Sequence, residues 1–213
     1  MKKTNLSNTV VIALLAIGLF VAIWYGAYVR SSRSVSADSN YRYALLETAN
    51  ESIAAVDQNI KEAKSNLDEL LSMQNFQEPV KSLLEVKYLA SAETLFVSAE
   101  RITHSGMLTP LSQIPLKDRY PLDLSKEIFS VCNTLSGEQG SAIDAITNDI
   151  YSGKFSRSDL EYLKKLDALL EKLSYTLESS TVYKDTNGTL YRLKKINSAL
   201  IELSKEKPQE KNK

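Results

Sequence analysis

Leu45–Leu70 reads LLETANESIAAVDQNIKEAKSNLDEL. Its apolar residues Leu45, Ala49, Ile53, Val56, Ile60, Ala63, Leu67 and Leu70 recur at steps of three and four. Glu47, Glu51, Asp57, Lys61, Glu62 and Lys64 fall off that stripe. At a helical period the apolar positions share one face, and a face of that length needs a partner surface, as in a bundle or coiled coil. The stretch therefore predicts a helix over about Asn40–Ser72, with Asp38, Ser39 or Asn40 as its cap.

Downstream the same logic gives four more helices. Gln74–Glu78 breaks the period, and Pro79 suits the first turn of a new helix, where its missing N–H costs nothing. Val80, Leu83, Leu84, Tyr88, Ala92, Leu95, Ala99 and Ile102 carry a second stripe to about Thr103. The short connection makes it an antiparallel hairpin with the first helix. A third pattern starts at Leu122 and runs through Leu124, Ile128, Val131, Leu135, Ala142, Ile143, Ile146 and Ile150. Gly137 and Gly140 interrupt it, marking either close packing or a kink, and Gly153 is the expected stop. Ser158-Asp159-Leu160-Glu161 reads as a capping box before a fourth stripe, Leu160, Leu163, Leu166, Leu170, Leu173 and Leu177. After the turn signal Thr186-Asn187-Gly188, Leu190, Leu193, Ile196, Leu200 and Leu203 form a weaker fifth helix. That face either pads the bundle or awaits another protein.

Between the second and third helices, Gly106–Pro121 is irregular, because Pro110, Pro115 and Pro121 each disfavour helix at the residue before them. The segment is apolar, so it is expected to lie against the bundle, and it is longer than a minimal turn. Leu108, Leu111, Ile114, Pro115 and Leu116 are the candidate partner-binding residues, together with the fifth-helix face.

Upstream, Asn5–Val29 carries no charge, and its centre, Val10–Tyr28, reads VVIALLAIGLFVAIWYGAY. Such a stretch makes about 28 Å of helix, close to the hydrocarbon thickness of a bilayer. Trp24, Tyr25 and Tyr28 gather at one end, where amphipathic rings favour the membrane interface. Val10, Trp24, Tyr25 and Tyr28 therefore mark a membrane anchor whose partner is the lipid bilayer. The run is longer than a signal-peptide core, which favours an uncleaved signal-anchor. The expected organisation is a short cytoplasmic N-terminus (1–9), a transmembrane helix (10–28), a juxtamembrane stalk or polar helix continuation (29–39), an extracytoplasmic bundle (40–204) and a disordered tail (205–213). The fold class is all-α: a single transmembrane helix followed by an antiparallel four- to five-helix bundle.

Composition narrows the function. Of 26 Lys and Arg, only Lys2 and Lys3 precede Val29, whereas all 26 Asp and Glu follow it. No basic excess supports nucleic-acid binding. Cys132 is the only cysteine, so no internal disulfide forms and no zinc spacing exists. His104 is the only histidine, and it reads as a surface residue at a helix end. Glu127, Glu138 and Asp144, like Asp159, Glu161 and Asp167, read as the wet faces of their helices rather than glycosidase pairs. Asn187-Gly188-Thr189 matches a glycosylation sequon but marks a turn. Eleven Tyr outnumber five Phe, which suits half-buried packing and interfaces. No catalytic residue, metal ligand or cofactor is assigned.

Four local features occur in order: Trp24-Tyr25-Gly26-Ala27-Tyr28, Asn40-Tyr41-x-x-Ala44-Leu45, Gln113-Ile114-Pro115-Leu116 and Ser158-Asp159-Leu160-Glu161. The set resembles the N-terminal region of the YpeB family of spore germination proteins, in a short form without that family's C-terminal PepSY-type repeats. The resemblance covers about residues 10–180. It implies a non-enzymatic protein of the inner forespore membrane that supports the accumulation of a cortex-lytic enzyme of the SleB type, and it carries over no catalytic residue. The alternative is an extracytoplasmic four-helix-bundle sensor or ligand-binding domain.

Overall fold

The computed structural model describes the backbone of residues 5–73, 80–184 and 187–206, and side chains from Ser39 onward apart from Val80. Among these residues every regular element is helical. They are α1 (Asn5–Ser72), α2 (Val80–Ile102), the π-helical turn π1 (Thr103–Leu108), α3 (Thr109–Ser112), α4 (Tyr120–Thr134), a second π-helical turn π2 (Leu135–Gln139), α5 (Gly140–Tyr151), α6 (Arg157–Glu178) and α7 (Asn187–Glu206). The chain divides into two compact units, Met1–Ala44 and Leu45–Lys213.

In the first unit the described backbone is helical throughout, including residues 29–39 and the expected cap at Asp38–Asn40. No Gly or Pro lies between Val29 and Ala44, so nothing local interrupts the backbone hydrogen bonds. The polar stretch is thus helix continuation, and no helix starts at Asn40. Tyr41 and Tyr43 are exposed. Among the described residues no helix is long and apolar enough to cross a membrane. The expected span 10–28 falls on residues whose side chains lie outside those described.

The second unit is a helical bundle. Ala49, Ile53, Val56, Ile60, Ala63, Leu67 and Leu70 of α1 are all buried, as the opening stripe requires. Asn59 Nδ2 donates to Ser98 Oγ and Asn66 Nδ2 to Ser91 Oγ, each at 3.0 Å, so α1 and α2 run antiparallel. Ser174 of α6 donates to Asp57 of α1 at 2.8 Å. The α6–α7 pair is an antiparallel hairpin, tied at its open end by Lys165–Glu206 at 2.6 Å. α7 also packs on α4 and π2, and α2 packs on α4, π2 and α5. α2, π1 and α3 run on without a break, as do α4, π2 and α5, which leaves five rods around one core. Burying a Leu or Ile fully contributes roughly 1.5–3 kcal/mol, so this shared core is the main stabilising term.

Several expectations need correction. The buried face of α2 is Glu85, Leu89, Ala92, Phe96 and Ala99, whereas Leu83 of the expected stripe is 70% exposed. α2 is apolar on most sides and packs against more than one neighbour, so periodicity alone did not select its face. The box that opens α6 is Ser156–Asp159, two residues before the expected Ser158–Glu161: Ser156 N–H donates to Asp159 Oδ2 at 2.8 Å, and Asp159 N–H to Ser156 Oγ at 3.4 Å. Asp is shorter than Glu yet reaches back, and it is buried in doing so. The apolar face of α7 is covered: Leu193, Ile196, Leu200 and Leu203 are buried against α6 and α4. α7 extends to Glu206, so Lys205 and Glu206 are helical, and 207–213 lie outside the described residues. Gly137 and Gly140 resolve as a π-turn and its exit. Gly153 closes α5 with φ +67°, and Lys154 N–H donates to the Asp149 carbonyl at 2.7 Å, the paired left-handed stop that glycine permits.

Candidate functional site

The segment expected to bind a partner is more ordered and more covered than its prolines suggest. Pro121 lies in the first turn of α4, where a missing N–H breaks no helical bond, whereas Pro110 stands inside a continuous rod, directly after the π-helical turn π1. Asp118 accepts from Tyr120 N–H at 2.9 Å as α4 begins. Irregular backbone is confined to residues 113–119. Leu111 is completely buried, which removes it from any docking surface. Leu108, Ile114 and Leu116 are half-buried and Pro115 is exposed. Val10, Trp24, Tyr25 and Tyr28 lie outside the described side chains.

The titratable groups are scattered. His104 is exposed on π1, with its ring tilted against Phe129 at 5.6 Å between centroids. Cys132 is buried, and burial pushes its thiol up to about 12, partly opposed by a hydrogen bond with Thr103. A thiol so placed packs as a small hydrophobe. Glu93 of α2 faces Asp144 of α5, and burial followed by the Asp144 charge holds its carboxyl above the ordinary glutamate range. Among the described residues no group of three or more His, Cys, Asp or Glu is placed to hold a metal.

The polar cluster around Gln139 is structural in form. Gln139, fully buried at the end of π2, donates from Nε2 to the Leu200 carbonyl at 2.8 Å and accepts from Tyr162 O–H. Burial, then the charges of Glu206 and Glu138, hold the Tyr162 phenol above its usual range, so it stays a donor. Three rods meet at this amide, and each buried group in it has a partner.

A groove of about 590 Å³ opens along the outer seam of α6 and α7. Leu169, Ile196 and Ala199 supply apolar wall, and Lys172, Arg192 and Lys195 converge on it with Glu171, Thr176 and the 70%-exposed ring of Tyr175. A signal for it was present in the sequence, because none of Lys172, Arg192 and Lys195 has an acid three or four residues away.

The second unit is thus an all-α bundle of five rods carrying a half-covered apolar loop and a cation-lined groove. Comparison of the chain with protein-family models, with curated proteins and with solved structures gave no match.

Proposed function

We propose that the chain is a membrane-anchored helical-bundle adaptor, YpeB-like, which supports the localisation or stability of a spore cortex-lytic enzyme by binding it at the outer face of the membrane. The observation that carries this reading is the uncharged Asn5–Val29 stretch ahead of the bundle. Its apolar length matches a bilayer, and its Trp24, Tyr25 and Tyr28 belt matches an interface. The four ordered sequence features shared with the YpeB family point to the enzyme as partner. The work is done by confinement: a tether holds the bundle in a thin layer and raises its effective concentration toward surface partners, with no reaction at the bundle itself.

The test is fractionation followed by co-purification. The full chain is expected to stay with vesicles through carbonate extraction and to retain a peptidoglycan-cleaving enzyme in detergent extracts. Deleting it is expected to deplete that enzyme from spores and slow cortex hydrolysis. Release by carbonate removes the anchor. Normal enzyme levels after deletion remove the adaptor role.

A further inference from the structure

The outer groove between α6 and α7 gathers three cations and one acid around an apolar wall. Several lysines elsewhere meet acids within a turn or across a seam: Lys61 with Asp57 at 2.8 Å, Lys64 with Asp68 at 2.7 Å, Lys165 with Glu206 at 2.6 Å and Lys205 with Glu202 at 2.6 Å. Among the described residues Lys172, Arg192 and Lys195 make no ion pair. Arg192 donates only to Thr189 Oγ1, at 3.3 Å. Three cations therefore face one acid, Glu171, across an apolar channel.

We propose that this groove seats an acidic segment of a protein partner, with one or two apolar side chains on Leu169, Ile196 and Ala199 and carboxylates on Lys172, Arg192 and Lys195. The proposal rests on the adaptor reading and names the surface that performs it. Three features fit this occupant. The excess positive charge attracts carboxylates and repels basic segments, which sets partner choice more than raw affinity. The lining residues span about two turns on each helix, or roughly 10 Å, which suits a short amphipathic stretch laid along the seam. Tyr175 stands exposed at the rim, and an aromatic ring beside a cation is the composition that interface centres favour.

The test uses the full chain in phosphatidylcholine nanodiscs and a labelled amphipathic peptide of roughly 14 residues, Leu at helical spacing and Glu elsewhere. A Lys-for-Glu counterpart is the control. The Glu peptide is expected to bind by fluorescence anisotropy, with affinity falling with salt and the Lys peptide binding at least about tenfold more weakly. Lys172→Glu with Lys195→Glu is expected to reverse that preference, and Ala199→Trp, which fills the channel without touching a charge, to weaken the Glu peptide. Equal binding of both peptides, or unchanged binding by these variants, overturns the proposal. So does binding of phosphatidylglycerol vesicles, lost in the double variant, with no peptide binding, because the groove is then a lipid-headgroup site. Circular dichroism of each variant shows that the bundle remains folded. If the double variant still retains the native enzyme in co-purification, the groove assignment falls and the adaptor reading stands. If wild type retains no enzyme but the peptides discriminate as stated, the adaptor reading falls alone.

Discussion

A Cβ added to Gly106 would lie 2.2 Å from Ser52 Oγ and 3.1 Å from Ser52 Cβ. π1 therefore rests on α1 at a point where no side chain fits, with Ser52 holding its own rotamer by donating to the Thr48 carbonyl at 2.8 Å. Rotating the hydroxyl away would lose that bond and still leave the Cβ contact. Gly106→Ala is expected to destabilise by about 1–3 kcal/mol, read as a lowered thermal midpoint by circular dichroism. Ser52→Gly in the same chain removes both opposing atoms. It is expected to recover part of the loss, beyond its own helix-propensity cost of about 1 kcal/mol. Additive losses in the double variant would show that the two positions do not meet.

Two buried tyrosines respond in opposite directions to loss of the same hydroxyl. Tyr162 donates to Gln139, so Tyr162→Phe leaves the amide oxygen unsatisfied inside the bundle and is expected to cost about 1–3 kcal/mol. The Tyr120 hydroxyl, at the start of α4, is buried and has no hydrogen-bond partner among the described residues. Tyr120→Phe removes an unsatisfied group and is expected to be neutral or to stabilise by up to about 1 kcal/mol. Chemical denaturation of the two variants decides the point. Equal losses would mean that hydroxyl satisfaction does not govern either site.

Legibility of the fold followed the contrast between faces. α1 and α6 alternate apolar and charged positions, and most of each stripe read from the sequence is buried, although Leu45 and Leu160 are only half-buried and Asp57, read as off the stripe, is buried against Ser174. α2 lacks that contrast: Leu89 and Phe96, both fully buried, lie among other apolar residues, and tertiary packing chose between the faces. The prolines misled for a different reason. Pro121 starts a helix, and Pro110 is carried within a continuous one just after a π-helical turn, so Gly106–Pro121 read as loop where the chain forms π1, α3 and the start of α4. The candidate groove was only half legible: the lack of an acid three or four residues from Lys172, Arg192 and Lys195 is a local signal, but Lys172 and Lys195 become neighbours only when α6 and α7 pair. The covered state of Leu111 and of the α7 face also depends on packing that no local spacing reports.

Glu93 gives the bundle a defined response to acid. Its carboxyl is held above the usual range by burial and then by Asp144, so the folded chain holds that proton more tightly than the unfolded chain. Stability then falls as pH rises through the ordinary glutamate value and levels off above the raised one. Glu93→Gln carries no charge to disfavour. It is expected to raise the thermal midpoint near pH 8 and to lose that advantage by about pH 4, where the wild-type carboxyl is protonated in both states. An advantage that persists unchanged at low pH would assign the effect to packing, for example against Gly140, whose added Cβ would lie 3.6 Å from Glu93 Cγ.

Asn50 fastens the turn after α6 to α1. Its Oδ1 accepts from Thr181 Oγ1 at 2.9 Å and from Val182 N–H at 3.0 Å, and Val182 is buried beside it. Both donors belong to the irregular stretch between α6 and α7, so this oxygen helps fix where the hairpin leaves the bundle, together with the buried Val182 side chain and the Tyr183–Glu47 hydrogen bond at 3.4 Å. Asn50→Leu removes the acceptor and leaves a backbone N–H with reduced access to water, at a cost of about 1–3 kcal/mol. Asn50→Asp keeps an oxygen in place and accepts the same two bonds. It is expected to retain most of the wild-type stability at neutral pH, and hydrogen exchange at the Val182 amide is expected to stay slow in the Asp variant and to quicken in the Leu variant. Matching losses in the two variants would mean that residue 50 contributes through helix packing, and that some other contact positions the turn.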